Sequence, residues 1–281
     1  MRFRDISSLH PILKWAGGKR QLLSHILEHL GNVDINQVQY FEPFLGGGAL
    51  LFELLPPRAF VNDKNEELIN MYRVIKDAPE DLISLLEKHQ DEHSKEHFYD
   101  VRSLDRQEDY LQLSNVEKAA RLIYLNRTCY NGLFRVNSQG FFNTPIGRYT
   151  HPKIVDKGTI LAMSKYFNKA EVHFSVGNYA DCVKEAKEGD FVYFDPPYVP
   201  LSKTSNFTAY TKDGFSLEEQ VKLKELCDQL NQRNVLFVLS NSCCDFICDL
   251  YKNYDIDLIE AKRQIGSVRR ENAVEVLVSN F

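Results

Sequence analysis

The residues best suited to chemistry form an Asp-Pro-Pro-Tyr sequence that directly follows the apolar run Phe191–Phe194. A carboxylate at Asp195 and a neighbouring backbone carbonyl can accept the two N–H bonds of an exocyclic amine, such as that of adenine. They would stabilise the positive charge that develops as the amine attacks an electrophile. Pro196 and Pro197 restrict the backbone, and Tyr198 offers a flat face for stacking a base. The pattern predicts a site for an aromatic amine at a strand end, with a simple strand-ending turn as the alternative.

A second candidate site is the stretch Tyr40–Leu55, where a strand pattern runs into three glycines and then into a helix pattern. Glycines at such a turn let a ligand approach the backbone beside the N–H groups of a helix N-terminus. The stretch is not a dinucleotide fingerprint, because the third glycine counted from Gly46 would fall on Leu51. The Gly-Lys pair that ends at Lys19 is not a phosphate-binding loop, which would need glycine in place of Leu13. A different ligand-binding turn and a plain tight turn both remain open.

An acidic residue, Asp63, follows the next apolar run, Ala59–Val61. In α/β nucleotide-binding sheets an acid at this point accepts hydrogen bonds from ribose hydroxyls. An Asp after a strand is also a frequent N-cap of the helix that follows. The sequence alone leaves both interpretations open.

Short apolar runs alternate with helical patterns along most of the chain, which is typical of an α/β fold with a mainly parallel sheet. The interval 66–155 breaks this alternation with several helical patterns and few convincing strands. We therefore expect one α/β domain formed by residues 1–65 and 156–281, with residues 66–155 inserted as a mostly helical domain. The predicted strands are Val38–Phe41, Ala59–Val61, Val172–Val176, Phe191–Phe194, Val235–Leu239 and Ala273–Val278.

The charges of this 281-residue chain are unevenly distributed around a formal net charge of −5. No Asp or Glu occurs from Lys118 to Val155, a window with six cations, and residues 262–270 carry four more. Such asymmetry indicates a basic face on an acidic body, as in nucleic-acid-binding proteins, although a chance cluster would look the same. The eight His residues show no pairing that indicates catalysis, so we expect them on the surface or in packing.

Several classes of protein are disfavoured by the sequence. No apolar run approaches the roughly 18 residues of a membrane span, and the N-terminal residues lack the apolar core of a secretory signal. The six Cys residues form no Cys-x-x-Cys pair and have no His at ligand spacing. We therefore expect reduced thiols in a cytoplasmic protein and no metal site.

A set of motifs occurs in a characteristic order: LKWAGGKR, FEPFLGGGAL, VNDKN, LNRTCYNGLFRVN, FNTPIGRY, DPPY and SNFTAY. From about Leu13 to the C-terminus, the chain resembles the Dam-type DNA adenine-N6 methyltransferases, α-group amino-methyltransferases with GATC-specific relatives. The resemblance implies a Rossmann-like methyltransferase sheet with an inserted, mostly helical target-recognition domain. It also implies methyl transfer to adenine N6 in double-stranded GATC, with the adenine flipped into a catalytic pocket formed by Asp195, Pro196, Pro197 and Tyr198.

Other targets for the same fold remain open. They are adenine in another DNA sequence, cytosine N4 and RNA, and a further possibility is a DNA-binding relative without catalysis. A protein-glutamine methyltransferase is disfavoured, because such enzymes usually carry Asn where this chain has Asp195.

The resemblance implies S-adenosyl-L-methionine as the cofactor. Asp63 would hold its ribose, Lys19 would supply a cation for its carboxylate, and Asp195 would lie between the cofactor and the target base. Phe44 and the glycine turn would line the methionine end. The residues expected to contact the cofactor are Trp15, Lys19, Phe44, Gly46, Gly48, Asp63 and Asp195.

The implied partner is double-stranded DNA at GATC sites, within a bacterial or phage-encoded system in the cytoplasm. Arg135 matches the residue that reads a guanine, and a bidentate guanidinium on guanine is the commonest specific contact in the major groove. Pro145 would touch a thymine methyl group or pack against a base edge. Tyr130, Asn131 and Leu133 would enter the duplex beside the extruded base, and residues 205–215 would cover that base. Phosphate or base-edge contacts are expected from Lys14, Arg127, Arg148 and Tyr149.

Two further expectations concern these partners. Arg127 could instead be a cation that stabilises a helix C-terminus. A cognate restriction endonuclease would be a genetic partner, and no membrane contact or stable protein partner is implied.

Overall fold

The computed structural model describes residues 9–15, 22–31, 33–199, 215–262 and 272–281. The strands in these ranges are β1 (Tyr40–Glu42), β2 (Arg58–Asp63), β3 (Glu171–Val176), β4 (Phe191–Phe194), β5 (Leu236–Ser242), β6 (Asp255–Lys262) and β7 (Asn272–Ser279). The α-helices are α1 (Leu23–Leu30), α2 (Ala49–Leu54), α3 (Glu66–Asp77), α4 (Pro79–Asp91), α5 (Lys95–Ser103), α6 (Asn115–Thr128), α7 (Lys157–Lys169), α8 (Tyr179–Cys182), α9 (Leu217–Gln232) and α10 (Asp245–Leu250).

The strands form one sheet in the order β3-β2-β1-β4-β5-β7-β6. The neighbours β2, β1, β4 and β5 pair in parallel, whereas β7 is antiparallel to both β5 and β6. All four residues of β4 are buried, as expected for a central strand covered on both faces. Phe194 at the end of β4 is paired with Leu239 of β5. Asp195, the residue after β4, therefore lies beside Ser240 of β5 at the carboxyl end of β4. The order and pairing of the strands confirm the predicted α/β fold.

Two compact units make up the chain. Unit 1 comprises Met1–Gly18, Gly46–Pro57 and Asp63–Gly177, and unit 2 comprises Lys19–Leu45, Arg58–Asn62 and Asn178–Phe281. The interval 66–155 lies within unit 1, which also contains α2, α7 and β3. Its assignment as an inserted target-recognition domain stays a prediction.

Helix α6 forms the centre of the helical part of unit 1. It starts with a capping box, in which Ser114 and Glu117 each accept a hydrogen bond from the other's backbone N–H, an arrangement that satisfies two exposed donors at the helix start. Most of its residues are buried, and it contacts α3, α4 and α5. A helix that is buried on nearly every side belongs to the interior of a domain, in agreement with the predicted helical character of residues 66–155.

One cation of the acid-free window lies in this interior and not on the surface. Arg121 is only 2% exposed, and its Nη2 atom lies 2.7 Å from Oδ2 of Asp105. Its guanidinium also donates to the backbone carbonyls of Val101 and Arg102. A buried guanidinium needs such partners because its desolvation is costly. The interpretation of the window as one basic face is therefore wrong for Arg121.

Strand β6 and helix α5 were not predicted from the sequence, and both have weak apolar signals. Strand β6 carries charged residues between its apolar ones, and Leu258 in it is 65% exposed, as an edge strand permits. Helix α5 buries only Phe98 and Val101. Both elements contain so few apolar residues that their sequences resemble those of loops.

Within the described ranges, every helix is too short or too polar to span a membrane.

Three histidines that are scattered in the sequence converge on Tyr124 in unit 1. Nδ1 of His89 lies 2.9 Å from Nε2 of His97, and Nδ1 of His93 lies 2.9 Å from the Tyr124 hydroxyl. The ring of His89 stacks on that of Tyr124 at a centroid distance of 4.9 Å. Burial, and then the nearby charge of His97, lower the pKa of His89 from 6.5 to about 4, although Glu92 opposes this shift.

We expect the lowered pKa of His89 to make unfolding depend on pH. Between about pH 6.5 and 4 the unfolded chain binds a proton at His89 that the folded chain does not, so stability is highest above pH 6.5 and falls as the pH drops. The slope from this group is at most about 1.4 kcal/mol per pH unit. His89→Phe keeps an aromatic ring on Tyr124 and should flatten the pH dependence of the urea midpoint. An unchanged slope in His89→Phe would contradict this assignment.

Candidate active site and nucleic-acid interface

The turn between β1 and α2 depends on its glycines. Gly48 has a φ of +68°, and a Cβ on it would lie 2.9 Å from a ring carbon of Phe52. Gly46 has a φ of +49°, and a Cβ on it would lie 3.0 Å from Cδ1 of Trp15. Trp15 in turn stacks on Phe134 at a centroid distance of 5.3 Å. The predicted residues Trp15, Gly46 and Gly48 are thus brought together, with the indole ring packed against the turn.

Asp63, the last residue of β2, holds this turn in place. Its Oδ2 atom accepts the backbone N–H of Gly46, and Oδ1 accepts that of Asn65, each at 2.9 Å. The N-cap of α3 is Asn65, whose side chain accepts the N–H of Leu68, so the alternative that Asp63 caps this helix is wrong. Burial raises the pKa of Asp63, and the hydrogen bonds from Asn65 and Gly46 oppose that rise. A carboxylate has about four lone-pair positions, so Asp63 retains acceptor capacity for a ligand.

Asp195 is oriented by a hydroxyl of the neighbouring strand. Ser240 Oγ lies 3.1 Å from Oδ1 of Asp195 and 3.1 Å from the Tyr193 hydroxyl. Burial raises the pKa of Tyr193 well above its usual value, and the Asp195 charge acts in the same direction, so the phenol stays protonated. The hydroxyls can therefore donate in sequence, from Tyr193 to Ser240 and from Ser240 to Asp195.

Tyr198 is anchored by a second carboxylate. Its hydroxyl donates to Oε2 of Glu275 on β7 at 2.9 Å. Burial, followed by the charge of Asp195, raises the pKa of Tyr198 well above its usual value. The phenol therefore remains a hydrogen-bond donor, and this contact fixes the position of the ring.

The backbone that follows Asp195 is held from two elements. The carbonyl of Pro197 accepts from Nε2 of Gln220 at 2.9 Å, and the N–H of Val199 donates to Oδ1 of Asn241 at 3.3 Å. Within the described part of the chain, the carbonyl of Pro196 accepts no hydrogen bond. The carboxylate of Asp195 and this carbonyl are therefore two acceptors that the segment offers to a ligand.

Phe44 belongs to an aromatic cluster in unit 2. Its ring stacks on Tyr179 at a centroid distance of 5.2 Å and meets the edge of Phe215 at 5.7 Å. The hydroxyl of Tyr179 donates to Glu219 at 3.4 Å. The sequence analysis did not select Tyr179, which follows Asn178 after β3 and carries no motif of its own there.

The segment 129–149 is a folded loop in unit 1. Val136 forms a β-bridge with Phe142, and Cys129 forms one with Ile146. The predicted DNA-contacting residues Tyr130 and Pro145 meet through a hydrogen bond of 2.8 Å from N–H to carbonyl. Asn131 takes a left-handed backbone conformation with a φ of +56°. The loop thus has a defined backbone, which is a requirement for reading a sequence.

Exposed side chains of this loop include several predicted DNA contacts. Tyr130 is 54% exposed and Leu133 is 38% exposed. Arg135 is exposed, and its Nε atom donates to Oδ1 of Asn143 at 2.7 Å. Within the described residues its Nη1 atom has no hydrogen bond, so Asn143 fixes one edge of the guanidinium and leaves donors for another partner.

Lys14 lies against Tyr149, the last residue of the loop. Nζ of Lys14 is 3.3 Å from the Tyr149 hydroxyl and 4.7 Å from the centre of its ring. The fully buried side chain of Asn126 accepts the N–H of Lys14 and donates to the carbonyls of Lys14 and Gly132. Asn126 thereby ties the segment before Trp15 to the loop.

The remaining predicted residues make few contacts that bear on their predicted roles, or lie outside the described ranges. Arg127 is in the last turn of α6, where burial lowers its pKa and the charge of Asp156 opposes that change. This position fits the helix-terminal interpretation, and its DNA contact stays a prediction. Arg148 is exposed. Lys19, residues 205–214 and the basic run from 263 lie outside the described residues.

Among the residues that the structure describes, no cluster of three His, Cys, Asp or Glu side chains could hold a metal ion.

The positioning residues were not found from the sequence. Ser240 and Asn241 belong to a Ser-Asn-Ser sequence at the end of β5, which is unusually polar for a buried strand and could have served as a signal. Gln220, Asn126 and Glu275 follow no local pattern, because each acts on a segment far away in the chain.

Removal of the Asp63 carboxylate should loosen the glycine turn even without a ligand. Asp63→Ala leaves the N–H groups of Gly46 and Asn65 without their acceptor, at a cost of about 1–3 kcal/mol for each group that stays buried. Asp63→Asn keeps one acceptor oxygen and should be intermediate. Urea unfolding measures the stability of both variants, and Asp91→Ala, at an exposed position, is the control. Wild-type stability in Asp63→Ala would contradict this role.

Comparisons with known proteins agree with these features. The chain is 51% identical to Type II methyltransferase M1.LlaDCHI of Lactococcus lactis subsp. cremoris, over 98% of this chain and 96% of that protein. It is 40% identical to Type II methyltransferase M.MjaIII of Methanocaldococcus jannaschii, with 96% and 99% covered. It is also 32% identical to the DNA adenine methylase of Escherichia coli K12, with 91% and 88% covered. The family model for D12 class N6 adenine-specific DNA methyltransferases matches residues 15–265, and the chain belongs to this family of DNA-modifying enzymes.

Proposed function

We propose that the protein transfers a methyl group from S-adenosyl-L-methionine to N6 of adenine in double-stranded GATC, after the adenine is flipped out of the duplex. The observation that carries this proposal is the pair of acceptors at the end of β4. Asp195 is oriented by Ser240, and the Pro196 carbonyl is free of hydrogen bonds within the described residues.

These two acceptors match the two N–H bonds of an adenine amine. Hydrogen bonds to Asp195 and the Pro196 carbonyl would draw the nitrogen lone pair out of conjugation with the ring. The Asp195 carboxylate would then stabilise the positive charge that develops on the nitrogen during attack. The amine needs no strong base beforehand, because the charged product nitrogen loses its proton readily. Tyr198, fixed by Glu275, would provide a stacking face for the flipped base.

The residues present also fit the chemistry of S-adenosyl-L-methionine. The carboxylate of Asp63 keeps acceptor capacity for ribose hydroxyls, and the glycine turn presents backbone without side chains beside Trp15. Phe44 and Lys19 are assigned to the same cofactor by the family resemblance. When bound, this cofactor supplies an electrophilic methyl group on a sulfonium centre.

The loop 129–149 is our candidate for DNA recognition. Exposed Tyr130, Leu133 and Arg135 support this assignment, and the pairing of Arg135 with Asn143 would limit the rotamer entropy lost on binding. Insertion of Tyr130, Asn131 and Leu133 beside the extruded base follows the resemblance, as does contact of Pro145 with a thymine methyl group or a base edge. Phosphate or base-edge contacts are proposed for Lys14, Arg127, Arg148 and Tyr149.

The identity to two Type II methyltransferases supports a role in restriction–modification. A cognate endonuclease would then share the DNA site without forming a stable complex with this protein. The proposal places the activity in the cytoplasm, where the DNA of a bacterium or phage is accessible.

The proposed function is tested with purified protein, methyl-labelled S-adenosyl-L-methionine and two duplexes. One duplex contains GATC, and the other has the same composition with that site scrambled to GTAC. Digestion to nucleosides should give labelled N6-methyladenine from the first duplex only. Asp195→Ala should give no label while binding the GATC duplex with an affinity near that of wild type, because the carboxylate acts on the amine.

The other outcomes separate the alternatives. Label on both duplexes would retain the chemistry and remove GATC specificity, and label on cytosine would indicate N4 methylation. Transfer to RNA alone would contradict a DNA substrate. Near-wild-type turnover in Asp195→Ala would contradict the proposed mechanism.

Arg135→Ala should weaken recognition of one guanine in the site. Loss of a bidentate contact removes about 1–3 kcal/mol of discrimination at that base pair. Methylation of duplexes substituted at each position of the site measures the effect, and Lys165→Ala, which removes an exposed cation from α7, is the control. An equal loss on every duplex would make Arg135 a phosphate contact instead.

A further inference from the structure

Two buried amides connect the Pro197 segment to α9 and β5. Gln220, in the first turn of α9, and Asn241, in β5, both have no exposed surface. Nδ2 of Asn241 donates to Oε1 of Gln220 at 3.1 Å, and Nε2 of Gln220 donates to the carbonyl of Pro197 at 2.9 Å. At the other end, Oδ1 of Asn241 accepts the N–H groups of Val199 and Ser242.

The direction of this chain of hydrogen bonds is fixed by its ends. A backbone N–H can only donate and a backbone carbonyl can only accept. Asn241 must therefore turn its oxygen toward Val199, which leaves its NH₂ group for the oxygen of Gln220. Gln220 must then turn its NH₂ group toward Pro197. No other orientation of the two amides forms all four hydrogen bonds, which are three to backbone groups and one between the amides.

Hydrogen bonds from these elements occupy two of the backbone carbonyls that follow Pro196. The Pro197 carbonyl is occupied by Gln220, and the Val199 carbonyl accepts the Ser242 hydroxyl at 2.6 Å. Proline rings fix φ at positions 196 and 197, so the remaining freedom lies largely in the ψ angles. The hydrogen bond from Gln220 fixes the direction of the Pro197 carbonyl. Because the ring of Pro197 fixes its φ angle, the preceding peptide plane, which carries the Pro196 carbonyl, is restrained together with it.

We propose that Gln220, oriented by Asn241, is a positioning residue that keeps the Pro196 carbonyl as the acceptor for the substrate amine. This inference rests on the proposed function. Gln220 touches neither the amine nor the methyl donor in this account, and it acts through the backbone of Pro197. Its loss should therefore slow the chemical step and leave ligand affinities unchanged.

Two substitutions test this role through different chemistry. Gln220→Leu removes both hydrogen bonds at similar size. Gln220→Glu keeps the acceptor for Asn241 but, when ionised, has no donor for the Pro197 carbonyl; its protonated form regains that donor. Gln232→Leu, at an exposed position of the same helix, is the matched control.

The rate constant for methylation in a single turnover should fall about 100-fold in Gln220→Leu, the scale expected when a reacting group is misplaced by about 1 Å. The dissociation constants of labelled S-adenosyl-L-methionine and of the duplex should stay near wild type. The rate of Gln220→Glu, relative to wild type at the same pH, should rise as the pH falls. The Gln232→Leu rate should match wild type.

Two results would overturn the inference while leaving the proposed function intact. One is a wild-type rate in a folded Gln220→Leu protein, which lacks the donor to Pro197 at every pH. The other is a rate loss that tracks a lower melting temperature and weaker ligand binding, without recovery of Gln220→Glu at low pH. Absence of adenine methylation by the wild-type protein would instead reject the proposed function itself, and this inference with it.

Discussion

The hydrogen bond between Ser240 and Asp195 is the contact on which the account of this protein depends. It exists because β4 and β5 are parallel and paired so that Asp195, the residue after β4, lies beside Ser240 of β5. A carboxylate held by a neighbouring strand loses little freedom when it binds a ligand, so it can favour one geometry of an amine over others. The antiparallel strand β7 adds Glu275, which fixes Tyr198. The sheet therefore sets the positions of the acceptor and of the aromatic ring together.

A similar construction occurs in unit 1. Asp63 ends β2 and holds the glycine turn through the N–H of Gly46, and Asn126 ties the backbone of Lys14 to the loop at Gly132. In both units, side chains at the ends of regular elements bind the backbone of irregular segments. This arrangement explains how the loops can be ordered without a core of their own, because buried polar groups are stable only when hydrogen-bonded.

The sequence predicted those features whose signals lie within a few neighbouring residues. Asp-Pro-Pro-Tyr after an apolar run, glycines after a strand, and alternating strands and helices correctly indicated the fold and its family. The contacts of Ser240, Gln220 and Glu275 join residues tens of positions apart, so only the three-dimensional packing of the strands and of α9 could reveal them. Charge counting failed for Arg121, because composition does not report burial and its partner Asp105 lies outside the acid-free window. Strand β6 was missed because an edge strand needs few buried residues.

The central claim is that Asp195 and the Pro196 carbonyl bind the amine of a flipped adenine. It is tested most directly by a crystal structure of the protein with a GATC duplex and an unreactive analogue of S-adenosyl-L-methionine. The account predicts an extrahelical adenine whose N6 lies within hydrogen-bonding distance, about 3 Å, of both acceptors. An adenine that stays stacked in the duplex, or an N6 that is bound by other groups, would contradict it.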